Sequence, residues 1–102
     1  MVTAGGDSPL FQGGGLHMKE RRIAVIYLTQ AGESVAERLS AGWNEGSIEV
    51  LAAGSSLSLQ VRLLWGKYDS FVFIMAVGIV VRLIAPLLRS KWEDPGVVVV
   101  DE

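Results

Sequence analysis

The chain has 102 residues, half of them hydrophobic, and 11 acidic against 9 basic side chains leave a net charge of −2. That suffices for one small domain, and the interspersed charges lack the basic footprint of a nucleic-acid binder. With no cysteine and a single histidine, the composition excludes a disulfide framework, a zinc–thiolate site, an iron–sulfur cluster and a cysteine nucleophile.

Residues 1–18, "MVTAGGDSPLFQGGGLHM", are Gly-rich and aperiodic, without the basic start and apolar core of a signal peptide. They read as a disordered extension or a misplaced start, and residues 19–102 as the domain. His17 lies in that extension with no second imidazole beside it, so a metal or catalytic role is not expected of it.

From Lys19 the pattern becomes regular. "RRIAVIYLT" (Arg21–Thr29) is a basic pair followed by a short β-rich apolar run, the signature of a buried strand. "GESVAERLSAGW" (Gly32–Trp43) places Val35, Ala36, Leu39 and Trp43 at helical spacing. "SIEVLA" (Ser47–Ala52) is a second strand. "LSLQVRLLWGKY" (Leu57–Tyr68) repeats the helical spacing with Leu57, Val61, Leu64 and Trp65, and Ser55 or Ser56 is its expected N-cap. "SFVFIMA" is a third strand, "GIVVRLIAPLLRSKW" a third helix, and "GVVVVDE" a fourth strand after the turn "EDPG".

This alternation predicts an α/β, three-layer, flavodoxin- or Rossmann-like fold: a four-stranded, mostly parallel sheet with three crossover helices, incomplete at the last strand. Phe71–Leu88 carries a single charge and invites a transmembrane reading. Arg82 opposes it, because a charge near mid-bilayer costs roughly 3 kcal/mol or more. Gly78 splits the run into strand and helix, so no membrane span is expected.

On that split Gly78, Arg82, Ala85 and Arg89 fall on one narrow helix face, with apolar residues on every other face. The spacing predicts an almost wholly buried helix, kinked at Pro86, that exposes only an arginine seam. Arg82 is either a solvated stem on that seam or an anion-binding group near a helix N-terminus. A strand order of 2-1-3-4 would put the ligand crevice between the first and third strands, under the loops Thr29–Glu33 and Met75–Ile79. Neither loop matches a dinucleotide fingerprint or a P-loop. "AAGSSLS" is no nucleophile elbow, and residues 19–102 hold no histidine to activate a serine. Asp94, before Pro95, is first a turn residue. Asp101 and Glu102 stand at the carboxyl end of a strand, where one of them could act as a general base or a polar anchor. Trp43, Trp65 and Trp92 are expected to be packing residues.

The stretch "YDSFVFIMAVGIVVRLIAPLLRSKWEDPGVVVVDE" (Tyr68–Glu102) closely resembles the N-terminal domain of cobalamin biosynthesis protein G. That family is the cobalt-precorrin-5A hydrolase of the anaerobic vitamin B12 pathway. The resemblance covers Lys19–Glu102, more loosely before Tyr68. It implies that the full-length protein opens the ring-A lactone of a cobalt corrinoid and releases acetaldehyde. A carboxylate-rich substrate suits Arg82, and for that reaction the loop and strand-end positions make Gly78, Arg82 and Thr29 the expected substrate contacts and Asp101 or Glu102 the expected catalytic carboxylate. No cofactor is implied, because the cobalt arrives within the substrate. Val77 departs from the small or hydroxyl-bearing residue common there, and Gly96 replaces a common alanine. The family's following Ser-Gly-His and Gly-Gly-Ala-Asn segment is absent, so the chain is expected to be a fragment or a split subunit whose partner is the missing C-terminal part. A cytoplasmic setting is expected. The rival reading is a non-catalytic, flavodoxin-like interaction or anion-binding module.

Overall fold

A computed structural model describes residues 2–4, 21–43, 46–90 and 93–101. Strand β1 (Val2–Ala4) is followed by β2 (Arg22–Tyr27), α1 (Gln30–Ala41), β3 (Ser47–Ala52) and α2 (Leu57–Leu64). Strand β4 (Ser70–Ile74), helix α3 (Val77–Ile84), a 3-10 turn (Ala85–Leu87) and β5 (Gly96–Val100) complete it. The sheet order is β1-β5-β4-β2-β3. The four long strands are parallel to one another, in the 2-1-3-4 order that the alternation left open as one possibility.

The sheet alternates its side chains between two helical layers, as a strand period of two requires. Ala24 and Ile26 of β2, Phe71 and Phe73 of β4, and Val97 and Val99 of β5 pack with Val61 of α2 and Val80 and Ile84 of α3. Ile23, Val25 and Ile74 pack on the other face with Ala36 of α1. Phe71 anchors the first layer, stacked on Trp65 at 5.2 Å and on Phe73 at 5.7 Å. Fully burying a side chain of this size contributes about 1.5–3 kcal/mol. On its face α1 lies against β2 and β3 and reaches β4, leaving Val72, Val98 and Val100 half-buried.

Five expectations need correction or addition. The third helix does not run to Trp92: it ends at Ile84 and tightens into the 3-10 turn. Pro86 lies in the first turn of that 3-10 segment, where its missing amide is least costly, rather than kinking a longer helix. Nor is the segment wholly buried, since Val81 of α3 is 57% exposed and Leu88, after the 3-10 turn, 47%. Trp43 is 44% exposed, because α1 ends at Ala41 and leaves the indole beyond the sheet. Finally, Val2–Ala4, within the stretch expected to be a disordered extension, form a short antiparallel strand on β5. His17, Met18 and Trp92 lie outside the described residues.

Candidate functional site at the switch point

The carboxyl ends of the parallel strands finish level. Tyr27 pairs with Ala52 on one side and Ile74 on the other, and Ile74 pairs with Val100. From this edge β2 leads into α1 on one face and β4 into α3 on the other. The divergence opens the crevice in which ligands of open α/β sheets bind.

Thr29 caps α1. Its backbone is extended and its Oγ1 accepts a hydrogen bond from the Gly32 amide at 3.0 Å. The hydroxyl predicted to touch substrate is therefore engaged in an N-cap, a role its residue type favours. Across the crevice α3 begins after Ala76, which has no side chain able to cap. Asp101 supplies that function from the neighbouring strand: its Oδ2 accepts from the Val77 amide at 3.4 Å. The Met75 amide donates to the Val100 carbonyl at 3.1 Å, which ties the β4–α3 loop to the end of β5.

Gly78 follows Val77 in the first turn of α3. A Cβ built there meets nothing within 4 Å, so the turn is open on that side. The Gly78 amide has no acceptor among the described residues, as expected of the first donors of a helix. Arg82 lies one turn further along, exposed and without an ion-pair partner among the described residues. The structure thus brings Gly78 and Asp101 to one helix start, with Arg82 in the last turn of the same short helix, and sets Thr29 opposite them. Glu102 lies outside the described residues.

One pair at this edge was not anticipated. The Tyr27 hydroxyl donates to Glu33 Oε2 at 3.3 Å. The phenol is pushed above its usual range by burial first, then by the charge and hydrogen bond of Glu33 and the charge of Glu37. The available signal was a tyrosine ending a strand with a glutamate in the first turn of the next helix. Gln60 was also missed: its Oε1 accepts from the Gly54 amide at 2.8 Å and its Nε2 donates to the Ala52 carbonyl at 3.1 Å, stapling the β3–α2 loop. Ser56, the N-cap of α2, makes no side-chain cap bond.

Other polar residues hold structure. Asp94 Oδ2 accepts from the amides of Arg89 at 2.7 Å and Ser90 at 3.0 Å, the turn role its sequence context suggested. Far from the crevice, the Arg22 amide donates to Asp69 at 2.8 Å and its guanidinium lies over the Tyr68 ring at 4.7 Å. The Tyr68 hydroxyl donates to Glu49. Among the described residues no group of three or more His, Cys, Asp or Glu side chains is placed to hold a metal, and no helix is long and apolar enough to cross a membrane.

Residues 60–102, which contain most of α2 and all of β4, α3 and β5, match the family model described as cobalamin synthesis G N-terminal. Over those residues the chain resembles the N-terminal domain of cobalamin synthesis protein G. It is 34% identical over 96 residues to a cobalt-precorrin-5A hydrolase of Salmonella typhimurium, covering 83% of this chain and 26% of that protein. A protein of the same name from Priestia megaterium is 27% identical over 93 residues, covering 78% and 25%. The crystal structure of a cobalamin biosynthesis protein G homologue from Sulfolobus solfataricus superposes with a TM-score of 0.63 at 28% identity, over 79% of this chain and 26% of that one. The chain therefore spans about a quarter of the length of the curated relatives it matches.

Proposed function

We propose that this domain forms one wall of the corrinoid site of a cytoplasmic cobalt-precorrin-5A hydrolase, the activity named for its relatives, working with further domains in the same polypeptide or in a partner subunit. The observation that carries the reading is that the matched span, residues 60–102, is the β4–α3–β5 unit flanking the switch-point crevice. The substrate is a cobalt corrinoid bearing carboxylates, and its cobalt enters with it. One substrate carboxylate lies over the first turn of α3, where the Gly78 amide and the positive end of the helix dipole favour an anion. Arg82, one turn along, pairs with it. Thr29 opposite positions α1 through its cap and offers its hydroxyl to the ligand's edge.

Lactone hydrolysis needs a water, a group to take its proton, and donors for the oxyanion that forms at the carbonyl. Asp101 is the carboxylate at this edge, with Glu102 following it in sequence. In this reading Asp101 accepts the water's proton, while the α3 terminus and Arg82 supply positive potential where negative charge grows. Lactone opening frees a hydroxyl on the extruded carbon; as that hydroxyl loses its proton, the bond from this carbon to the macrocycle breaks, its electron pair stays on the macrocycle, and the two-carbon unit leaves as acetaldehyde.

The test uses the chain as it stands and cobyrinic acid, a cobalt corrinoid whose side chains end in carboxylates. Titration is expected to shift the corrin absorbance saturably, with the affinity falling as salt rises and falling further in Arg82→Ala. The rival reading, a non-catalytic interaction module, draws support from the exposed Leu59, Leu63, Val81 and Leu88 on α2, α3 and the residue after the 3-10 turn. An unchanged spectrum at all concentrations decides for it.

A further inference from the structure

The two edges of the sheet are built differently. β3, at one end, carries the exposed Glu49 in mid-strand, held by the Tyr68 hydroxyl and 4.0 Å from Arg22. A charge in that position deters pairing with a foreign strand. β5, towards the other end, is "GVVVV": uncharged and almost wholly β-branched. A bare edge of that composition is a template for further strand pairing.

The β5 edge is not bare. Val2, Thr3 and Ala4 pair with Val99, Val98 and Val97, antiparallel in a sheet whose other neighbours are all parallel. Among the described residues, β1 is held in place by this pairing.

We propose that the outer edge of β5 is a strand-docking surface, that β1 guards it within the same chain, and that a second copy of this chain, through its own β5, is the occupant once β1 is removed. β1 demonstrates that the edge accepts an antiparallel strand in a register centred on Val98. Val98 is also the middle residue of β5. Two β5 strands laid antiparallel in that register are therefore related by a twofold axis at Val98, with Gly96 opposite Val100 and Val97 opposite Val99. Such a contact is isologous and closes as a dimer with a continuous sheet, which a parallel pairing of the same edges would not do. Opposed residues share a face, so the half-buried Val98 and Val100 of the two copies extend one apolar shelf.

The test is sedimentation of the full chain and of a variant carrying Val2→Pro, Thr3→Pro and Ala4→Pro together, which strips every amide that β1 can offer. The parent is expected to sediment at 11.0 kDa, and the triple variant to move towards twice that mass as concentration rises. Adding Val98→Lys to the triple variant should return the monomer, because like charges then face each other across the axis. Mixing Val98→Lys and Val98→Glu versions of it should restore the dimer. A triple variant that stays monomeric at every concentration overturns the proposal, as does dimerisation indifferent to charge at position 98. A parent chain that already dimerises overturns it too, and so does loss of the far-ultraviolet signal in the triple variant, since a guard strand is dispensable for the fold.

Discussion

Replacing Gly78 with alanine separates folding from binding at the start of α3. Gly78 is exposed, has ordinary helical backbone, and has nothing within 4 Å of the position a Cβ would take. Packing therefore does not require glycine. An alanine that fits the native conformation restricts the unfolded chain and stabilises the fold by about 0.4–1 kcal/mol. For a domain of this size the melting temperature should rise by roughly 2–6 °C. The same methyl group stands over the turn where the corrinoid carboxylate is proposed to approach, so affinity for cobyrinic acid should fall several-fold. Thermal unfolding by circular dichroism and the absorbance titration read the two effects on one protein sample. A lower melting temperature would show that the turn is closed in a way the open space denies. A more stable variant with unchanged affinity would place the ligand elsewhere.

Gly46 is the opposite case: its φ is 75° and an added Cβ would stand 2.7 Å from the Arg21 carbonyl oxygen, so Gly46→Ala should cost about 1–2 kcal/mol in urea unfolding. Thr29→Ala should cost about 1 kcal/mol through loss of the α1 cap, whereas Thr29→Ser, which keeps the acceptor, should unfold close to the parent. Phe71→Ala should cost about 3–5 kcal/mol, much of the stability of a small domain, and is read as a collapse of the urea midpoint. Tyr68 has its phenol raised above 10.0, first by the hydrogen bond to Glu49 and then by burial and the Glu49 charge, against a lowering by Arg22. Because the folded value is the higher one, that contribution is fully present below about pH 10 and is lost as pH climbs through the raised value. Tyr68→Phe should lose that part of the alkaline sensitivity, measured as melting temperature against pH.

The sheet was legible because its strands are apolar on both faces and separated by helical spacings, which leaves few arrangements other than a covered parallel sheet. Features that depend on tertiary pairing were not. Val2–Ala4 are too few to carry a period, and become a strand only because β5 offers an edge. The end of α3 was misplaced because the apolar run continues past Pro86 while the backbone does not. Trp43 shares a spacing with the buried Ala36 but is exposed, as is Leu39, because it lies beyond the end of α1. At the site, the position of Asp101 at a strand's carboxyl end was readable from alternation alone. Its aim at the Val77 amide was not, since that follows from β4 and β5 ending level. Tyr27 and Glu33 sit six residues apart in sequence and meet only because α1 folds back over β2.

The account rests most directly on where a corrinoid touches the chain. Amide chemical shifts of the isotope-labelled chain, followed while diamagnetic cobalt(III) cobyrinic acid is added, locate that contact residue by residue. The account predicts saturable shifts confined to Thr29–Glu33, Met75–Ile79, Arg82 and Asp101, with Arg22, Tyr68 and Asp69 at the far edge unmoved. Shifts centred on Arg22, Tyr68 and Asp69 with a silent α3 terminus would contradict it.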